Sequence, residues 1–174
     1  MSERVPVLVI SGPVGVGKTT VGDELTYVLE ERGVPHTFVD LDGLTHTFPR
    51  PDEDPFGEEL AMHNLRDVWR NAAAAGSRNL IVARVVEGDE SLLRLCDAVP
   101  GAELRLVRLR ASSEELRQRV RRREIGCGGT WHERRSLELA EHLEGREHDH
   151  VIETDALSPR EVATELAELV RWEQ

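Results

Sequence analysis

The chain opens on a short, almost wholly apolar run, Val5–Ile10, which predicts a buried strand. The period then changes. Over Thr19–Glu31 the apolar positions Val21, Leu25, Val28 and Leu29 recur at helical spacing, and Gly33 stands where a helix would end. Thr37–Val39 reads as a second strand and runs into Asp40-Leu41-Asp42. Phe48–Gly57 carries Pro49, Pro51 and Pro55, so an irregular excursion is expected there. Helical spacing returns over Glu58–Ala75, with Leu60, Leu65, Val68 and Trp69 on one face. Leu80–Val86 is nearly all apolar and β-branched, the pattern of a central parallel strand covered on both faces. Glu90–Ala98 predicts a short helix and Leu104–Leu109 a fourth strand. A capping box from Ser112 to Glu115 opens a helix through Arg123, which stops at Gly126-Cys127-Gly128-Gly129. His132–Leu143 is helical again and His150–Ile152 is a fifth strand. Ser158-Pro159-Arg160-Glu161 caps the last helix, with proline at its first position.

Strands alternating with helices at this rhythm predict an α/β fold, a parallel sheet with helices on both faces. The 174 residues fit a single domain, 1–174, without internal repeat, low-complexity tract or linker. Hydrophobic content of 39% and charged content of 32% place the chain in the soluble globular class. No run is long enough for a membrane span, and no charged-then-apolar leader is seen. Cys96 and Cys127 are too few for a disulfide framework, so a reducing cytoplasm is expected. The formal charge of −11 repels nucleic acid and anionic membranes, which leaves a small molecule as the expected partner. The oligomeric state is open, a homodimer included.

The strongest chemical signal is Gly12-Pro13-Val14-Gly15-Val16-Gly17-Lys18-Thr19, which fits G-x-x-x-x-G-K-[ST] at every fixed position. Glycines there let successive backbone N–H groups converge on one anion, and the following helix adds the positive end of its dipole. Lys18 would reach β- and γ-phosphates, the Thr19 hydroxyl would bind Mg²⁺, and Thr20 would complete the cradle. Lys18 is the only lysine among 22 Lys and Arg residues. A chain that otherwise uses arginine for positive charge has kept the compact point charge here, where a wide planar fork would not fit.

The same solitude excludes the Asn-Lys-x-Asp motif by which translation-type GTPases read guanine, since no second lysine exists. A motor or remodelling ATPase would be expected to be longer and to carry an acid at the end of a strand. Leu80–Val86 has none, and Glu87 is the nearest. A small kinase remains. The chain resembles the compact P-loop kinases, nearest in pattern to adenylylsulfate kinases and chloramphenicol phosphotransferases, with shikimate and gluconate kinases more distant. Val39-Asp40-Leu41-Asp42 is similar to the Asp-Gly-Asp of the former, and Asp42-Gly43-Leu44 with Phe48-Pro49 resembles the stretch after the catalytic aspartate of the latter. The resemblance implies a three-layer P-loop NTPase fold, a five-stranded sheet in the order 2-3-1-4-5, a short lid at about 120–132, ATP with Mg²⁺, and Asp42 facing the γ-phosphate.

Such chemistry needs an acid: an alcohol attacking a phosphoryl group must be oriented and its proton accepted. Asp42 is the candidate, with Asp40 as metal or acceptor ligand. The competing role for Asp42 is a helix N-cap. Arg117, Arg119, Arg121, Arg122 and Arg123 fall on one helix. By resemblance Arg119 takes the adenine side and Arg123 meets the γ-phosphate, and the alternative is pairing with Glu114, Glu115 and Glu124. Gly126, Gly128 and Gly129 are hinge candidates. Asp155 and Ala156, after the last strand, would border the adenine, or else form a turn.

The acceptor is expected between Asp42, the excursion and the end of the third strand. Arg84 is a charge within an apolar strand and needs a partner. That partner is an anionic acceptor or one of Asp40, Asp42 and Glu87. Arg50 and His46 could also line this pocket. His148-Asp149-His150 could bind metal or stand solvated in a loop, and Trp131 and Trp172 read as packing residues. The expected activity is ATP-dependent phosphorylation of a hydroxyl on a small molecule: adenylylsulfate-like, an antibiotic or another specialised metabolite. A nucleotide sensor with little turnover is the alternative.

Overall fold

Why the apolar runs become strands is plain from where alternate residues go. In the computed structural model, which describes residues 4–123, 129–144 and 150–173 with side chains at all of these but 123 and 129–133, strand β1 spans Val5–Ser11. Its Leu8 and Ile10 face one way, against helix α1 (Lys18–Glu31) and helix α6 (Pro159–Val170). Val7 and Val9 face the other, against α2 (Glu58–Ala74) and α3 (Asp89–Ala98). Burial on both sides makes each such residue worth roughly 1.5–3 kcal/mol of transfer free energy, enough to hold a three-layer arrangement.

The sheet is completed by β2 (His36–Asp40), β3 (Asn79–Ala83), β4 (Ala102–Arg110) and β5 (His150–Glu153), in the order β2-β3-β1-β4-β5. Every pairing is parallel. The expected order is therefore observed. The register aligns Asp40 with Ala83, Ile10 with both Ala83 and Val107, and Arg110 with Glu153. The carboxyl ends of all five strands thus share one edge, where open α/β sheets place their ligands. Helices α4 (Ser113–Arg123) and α5 (Gly129–Leu143) stand beside that edge. No helix among the described residues is long and apolar enough to cross a membrane.

Three local expectations are corrected. The third strand ends at Ala83, so Arg84 and Val86 lie beyond it: Arg84 N–H donates to the Ile10 carbonyl at 3.1 Å and Val86 N–H to Ser11 Oγ at 3.0 Å. Only half of the Ser112 capping box forms. Ser112 Oγ accepts from Glu115 N–H at 3.3 Å, but the Glu115 carboxylate is taken by Arg119 at 2.8 Å, and Ser112 N–H turns to Asp155 Oδ1 at 2.9 Å. The Ser158–Glu161 box is complete. The cation that does sit mid-sheet is Arg108, 2% exposed. It donates to the Leu143 and Ala140 carbonyls at 2.7 and 3.2 Å and to Glu144 Oε1 at 3.0 Å, so it caps the negative end of α5.

The excursion is irregular, as its prolines predict, and one carboxylate ties it down. Asp54 accepts from Glu58 N–H at 2.6 Å and Leu60 N–H at 3.1 Å, occupying the open donors of α2's first turn. Desolvation alone would raise its pKa. The backbone donors of Leu60, Glu58 and Glu59 outweigh it and hold the carboxyl below its ordinary value of 3.8. Glu161 is likewise held below its ordinary 4.5 by Ser158. A depressed carboxyl stabilises the fold fully above its unfolded-state pKa, and that stability is lost as pH falls through the folded-state value. The thermal midpoint is therefore expected to hold steady above about pH 5 and to fall on acidification below pH 4, with Asp54→Asn flattening part of the decline. Thermal melts of both proteins between pH 2.5 and 7 measure it.

Candidate active site

Gly12–Gly17 forms the loop between β1 and α1, and Lys18 and Thr19 open the helix. Gly12 has φ 141°, and a Cβ there would fall 2.5 Å from the Leu109 carbonyl oxygen, so glycine is required twice over. Gly15 and Gly17 also have positive φ, 83° and 105°. Lys18 folds back over the loop, its Nζ donating to the Gly12 and Pro13 carbonyls at 2.9 and 3.0 Å. The ammonium thus lies over the concave side of the loop, where phosphate oxygens would replace those carbonyls.

The second strand delivers its acids to the same place. Thr19 Oγ1 donates to Asp40 Oδ2 at 2.6 Å, joining the phosphate loop to the end of β2. The other Asp40 oxygen accepts from Asp42 N–H at 3.2 Å. Asp42 begins a short 3₁₀ turn, Asp42–Thr45, and is exposed. Its carboxylate has no hydrogen-bond partner among the described residues, and the turn has no side-chain cap. The competing cap role is therefore not the one adopted. Thr19 and Asp40 offer a hydroxyl and a carboxylate oxygen side by side, a donor set of the hard kind Mg²⁺ takes beside substrate phosphates. Among the described residues no cluster of three or more His, Cys, Asp or Glu could hold a metal. His148 and Asp149 lie outside the described residues, and His150 meets Glu165 Oε1 at 3.3 Å.

Between the phosphate loop, α4 and α6 lies a cleft of about 280 Å³, walled by Val16, Thr20, Val21, Arg119, Leu157 and Val162 among others. Arg119 is fixed in it by four hydrogen bonds: to Glu115 at 2.8 Å, the Val16 carbonyl at 2.9 Å, Thr154 Oγ1 at 3.0 Å and the Thr154 carbonyl at 3.1 Å. Arg122 joins it on the wall, one turn further along. The Arg123 side chain and Gly126 and Gly128 lie outside the described residues. Asp155 and Ala156 do not line the cleft; the Asp155 carboxylate caps α4 through Ser112, and Thr154 and Leu157 take the wall instead.

On the acceptor side, Arg84 is 7% exposed and its guanidinium pairs with Glu58 at the start of α2, not with Asp40, Asp42 or Glu87. Its Nε is buried without a partner. Glu87 instead meets Arg135 of α5 at 2.9 Å. Arg50 is exposed and donates to the Pro55 carbonyl at 3.1 Å within its own loop, and His46 is exposed. Sequence reading missed Glu58, Arg135 and Ser136, and did not single out Arg122 from the other arginines of its helix. Glu58 had a signal, an acid opening the helix that follows the excursion. Arg135 and Ser136 carry no periodicity that separates them from solvent-facing neighbours.

This fold and loop are those of a P-loop domain with the three-layer architecture of compact small-molecule kinases. The chain belongs to the family described as the AAA domain, whose profile matches residues 8–154 and so includes the whole phosphate loop. No curated protein sequence matches it. Among solved structures it is similar to the Deinococcus radiodurans tunicamycin resistance protein, at 24% identity and TM-score 0.65 over 96% of each chain. It is also similar to the Mycobacterium tuberculosis APS kinase in complex with AMPPNP and APS, at 20% identity and TM-score 0.64, covering 98% of this chain and 99% of that one. A Sinorhizobium meliloti gluconokinase aligns at 22% identity and TM-score 0.60, over 97% and 96% of the two chains. Each of these three alignments spans at least 96% of both chains.

Proposed function

We propose that the protein is an ATP-dependent kinase that transfers the γ-phosphoryl group to a hydroxyl of a small acceptor. The observation that carries this reading is the Thr19–Asp40 hydrogen bond of 2.6 Å. It draws the end of β2 against the phosphate loop, beside the Asp42 carboxylate, which has no partner among the described residues.

In this reading the base lies in the cleft against Arg119. Its phosphates take the backbone donors of the loop, and Lys18 Nζ exchanges two carbonyls for phosphate oxygens. Thr19 and Asp40 would hold Mg²⁺, which would supply charge screening for the β- and γ-phosphates. Asp42 accepts the acceptor hydroxyl's hydrogen bond. As the oxygen bonds to the γ-phosphorus, the bond from that phosphorus to the β–γ bridging oxygen breaks with its electron pair on ADP, and the proton passes to Asp42. The acceptor sits between Asp42, the excursion and Arg84. The unpaired Nε of Arg84 and its displaceable partner Glu58 favour an acceptor bearing a carboxylate, sulfate or phosphate. Phe48 and Phe56, 95% and 78% exposed on the excursion, favour an apolar body on the same molecule.

The test is ADP release by the full chain with Mg-ATP and a panel of hydroxyl compounds, anionic and neutral, with apolar and polar bodies. Release stimulated by at least one anionic member is expected. Tight ATP binding without stimulated release anywhere in the panel would turn the reading into that of a nucleotide sensor.

A further inference from the structure

The phosphate loop is gripped from outside by the two helices that stand beside it. Ser136 of α5, 1% exposed, donates its hydroxyl to the Val14 carbonyl at 2.6 Å. Arg119 of α4 donates to the Val16 carbonyl at 2.9 Å. A trans peptide is planar, and its C=O and N–H point in opposite directions. Pulling the Val14 and Val16 carbonyls outward therefore turns the Gly15 and Gly17 N–H groups to the concave side. Neither N–H has an acceptor among the described residues. Two donors aimed into one concavity make an anion-binding nest.

The grip has firm supports. A Cβ on Gly15 would fall 2.7 Å from Val120 Cγ2, so α4 packs directly on the loop. Helix α5 is held at its far end by Arg108 and beside Ser136 by the Arg135–Glu87 pair. Ser136 thus approaches the loop from a helix anchored independently of any ligand.

We infer that Ser136 is a positioning residue for polyphosphate: its hydroxyl sets the Val14–Gly15 peptide so that the Gly15 N–H meets the phosphate chain beyond the first phosphate. The inference rests on the nucleotide reading above. It separates Ser136 from residues that hold the base, because its effect must depend on how many phosphates the ligand carries.

The experiment compares ADP and AMP, titrated calorimetrically into the full wild-type chain and into Ser136→Ala. The expected result is an ADP dissociation constant raised about tenfold, the scale of one hydrogen bond to a charged group, with that of AMP within about twofold of wild type. Unchanged ADP binding, or equal weakening of ADP and AMP, overturns the inference. If Ser136→Ala binds neither nucleotide, Ser136→Cys, which keeps the side chain's shape and weakens the donor, carries the same comparison and decides it by the same criteria. A wild-type chain that binds no ADP overturns the nucleotide reading itself, and this inference with it.

Discussion

Lys18→Arg is expected to weaken ADP and ATP binding by about a hundredfold, the scale of losing one preorganised charged donor, although it leaves the net charge unchanged. The reason is shape. Nζ lies 2.9 and 3.0 Å from the Gly12 and Pro13 carbonyls, at the end of a thin stem threaded over a loop whose Gly12 cannot accept even a Cβ. A guanidinium is a wide planar fork of five N–H donors; the loop offers a point site. The remaining arginines show that this chain tolerates that side chain nearly everywhere else. Equilibrium titration with ADP measures the effect, and affinity within about fivefold of wild type would show that charge alone suffices.

Asp42→Asn is expected to lower acceptor-stimulated ADP release by about 10²–10⁴-fold, the range for loss of a proton acceptor, with ATP affinity nearly unchanged. The amide keeps the size of the carboxylate and its place at the head of the 3₁₀ turn, and it cannot take the hydroxyl proton. Because the Asp42 side chain caps no helix and pairs with nothing described, the substitution should leave the melting temperature in place. A fall in turnover without a fall in stability therefore isolates chemistry from folding. A variant with wild-type turnover would remove Asp42 from the mechanism.

The strands and helices were legible because apolar residues run together or recur at helical spacing along almost the whole chain, whereas the order of the strands in the sheet came from the resemblance to compact P-loop kinases. The phosphate loop was legible because its glycines and lysine are set by local backbone geometry, such as the 141° φ of Gly12. Side-chain pairing was much less so. Arg84 reads as a charge inside a strand, yet the strand stops one residue earlier, and its partner Glu58 is 26 positions away. Arg108 carries the same signal, and nothing local shows that a helix end lies above it. Asp155 reads as a base-side residue, while its carboxylate is recruited 43 positions back by Ser112. Periodicity reports which face a residue takes, and a long-range partner depends on which other element that face meets.

The solitary lysine has a practical corollary. Amine-directed reagents have a single side-chain target in the sequence, and it lies half-buried over the phosphate loop with two carbonyls upon it. An acylating probe that reaches it would silence the loop, and a ligand seated there would shield it. Occupancy can thus be read as protection from labelling, at a position that no other ε-amino group obscures.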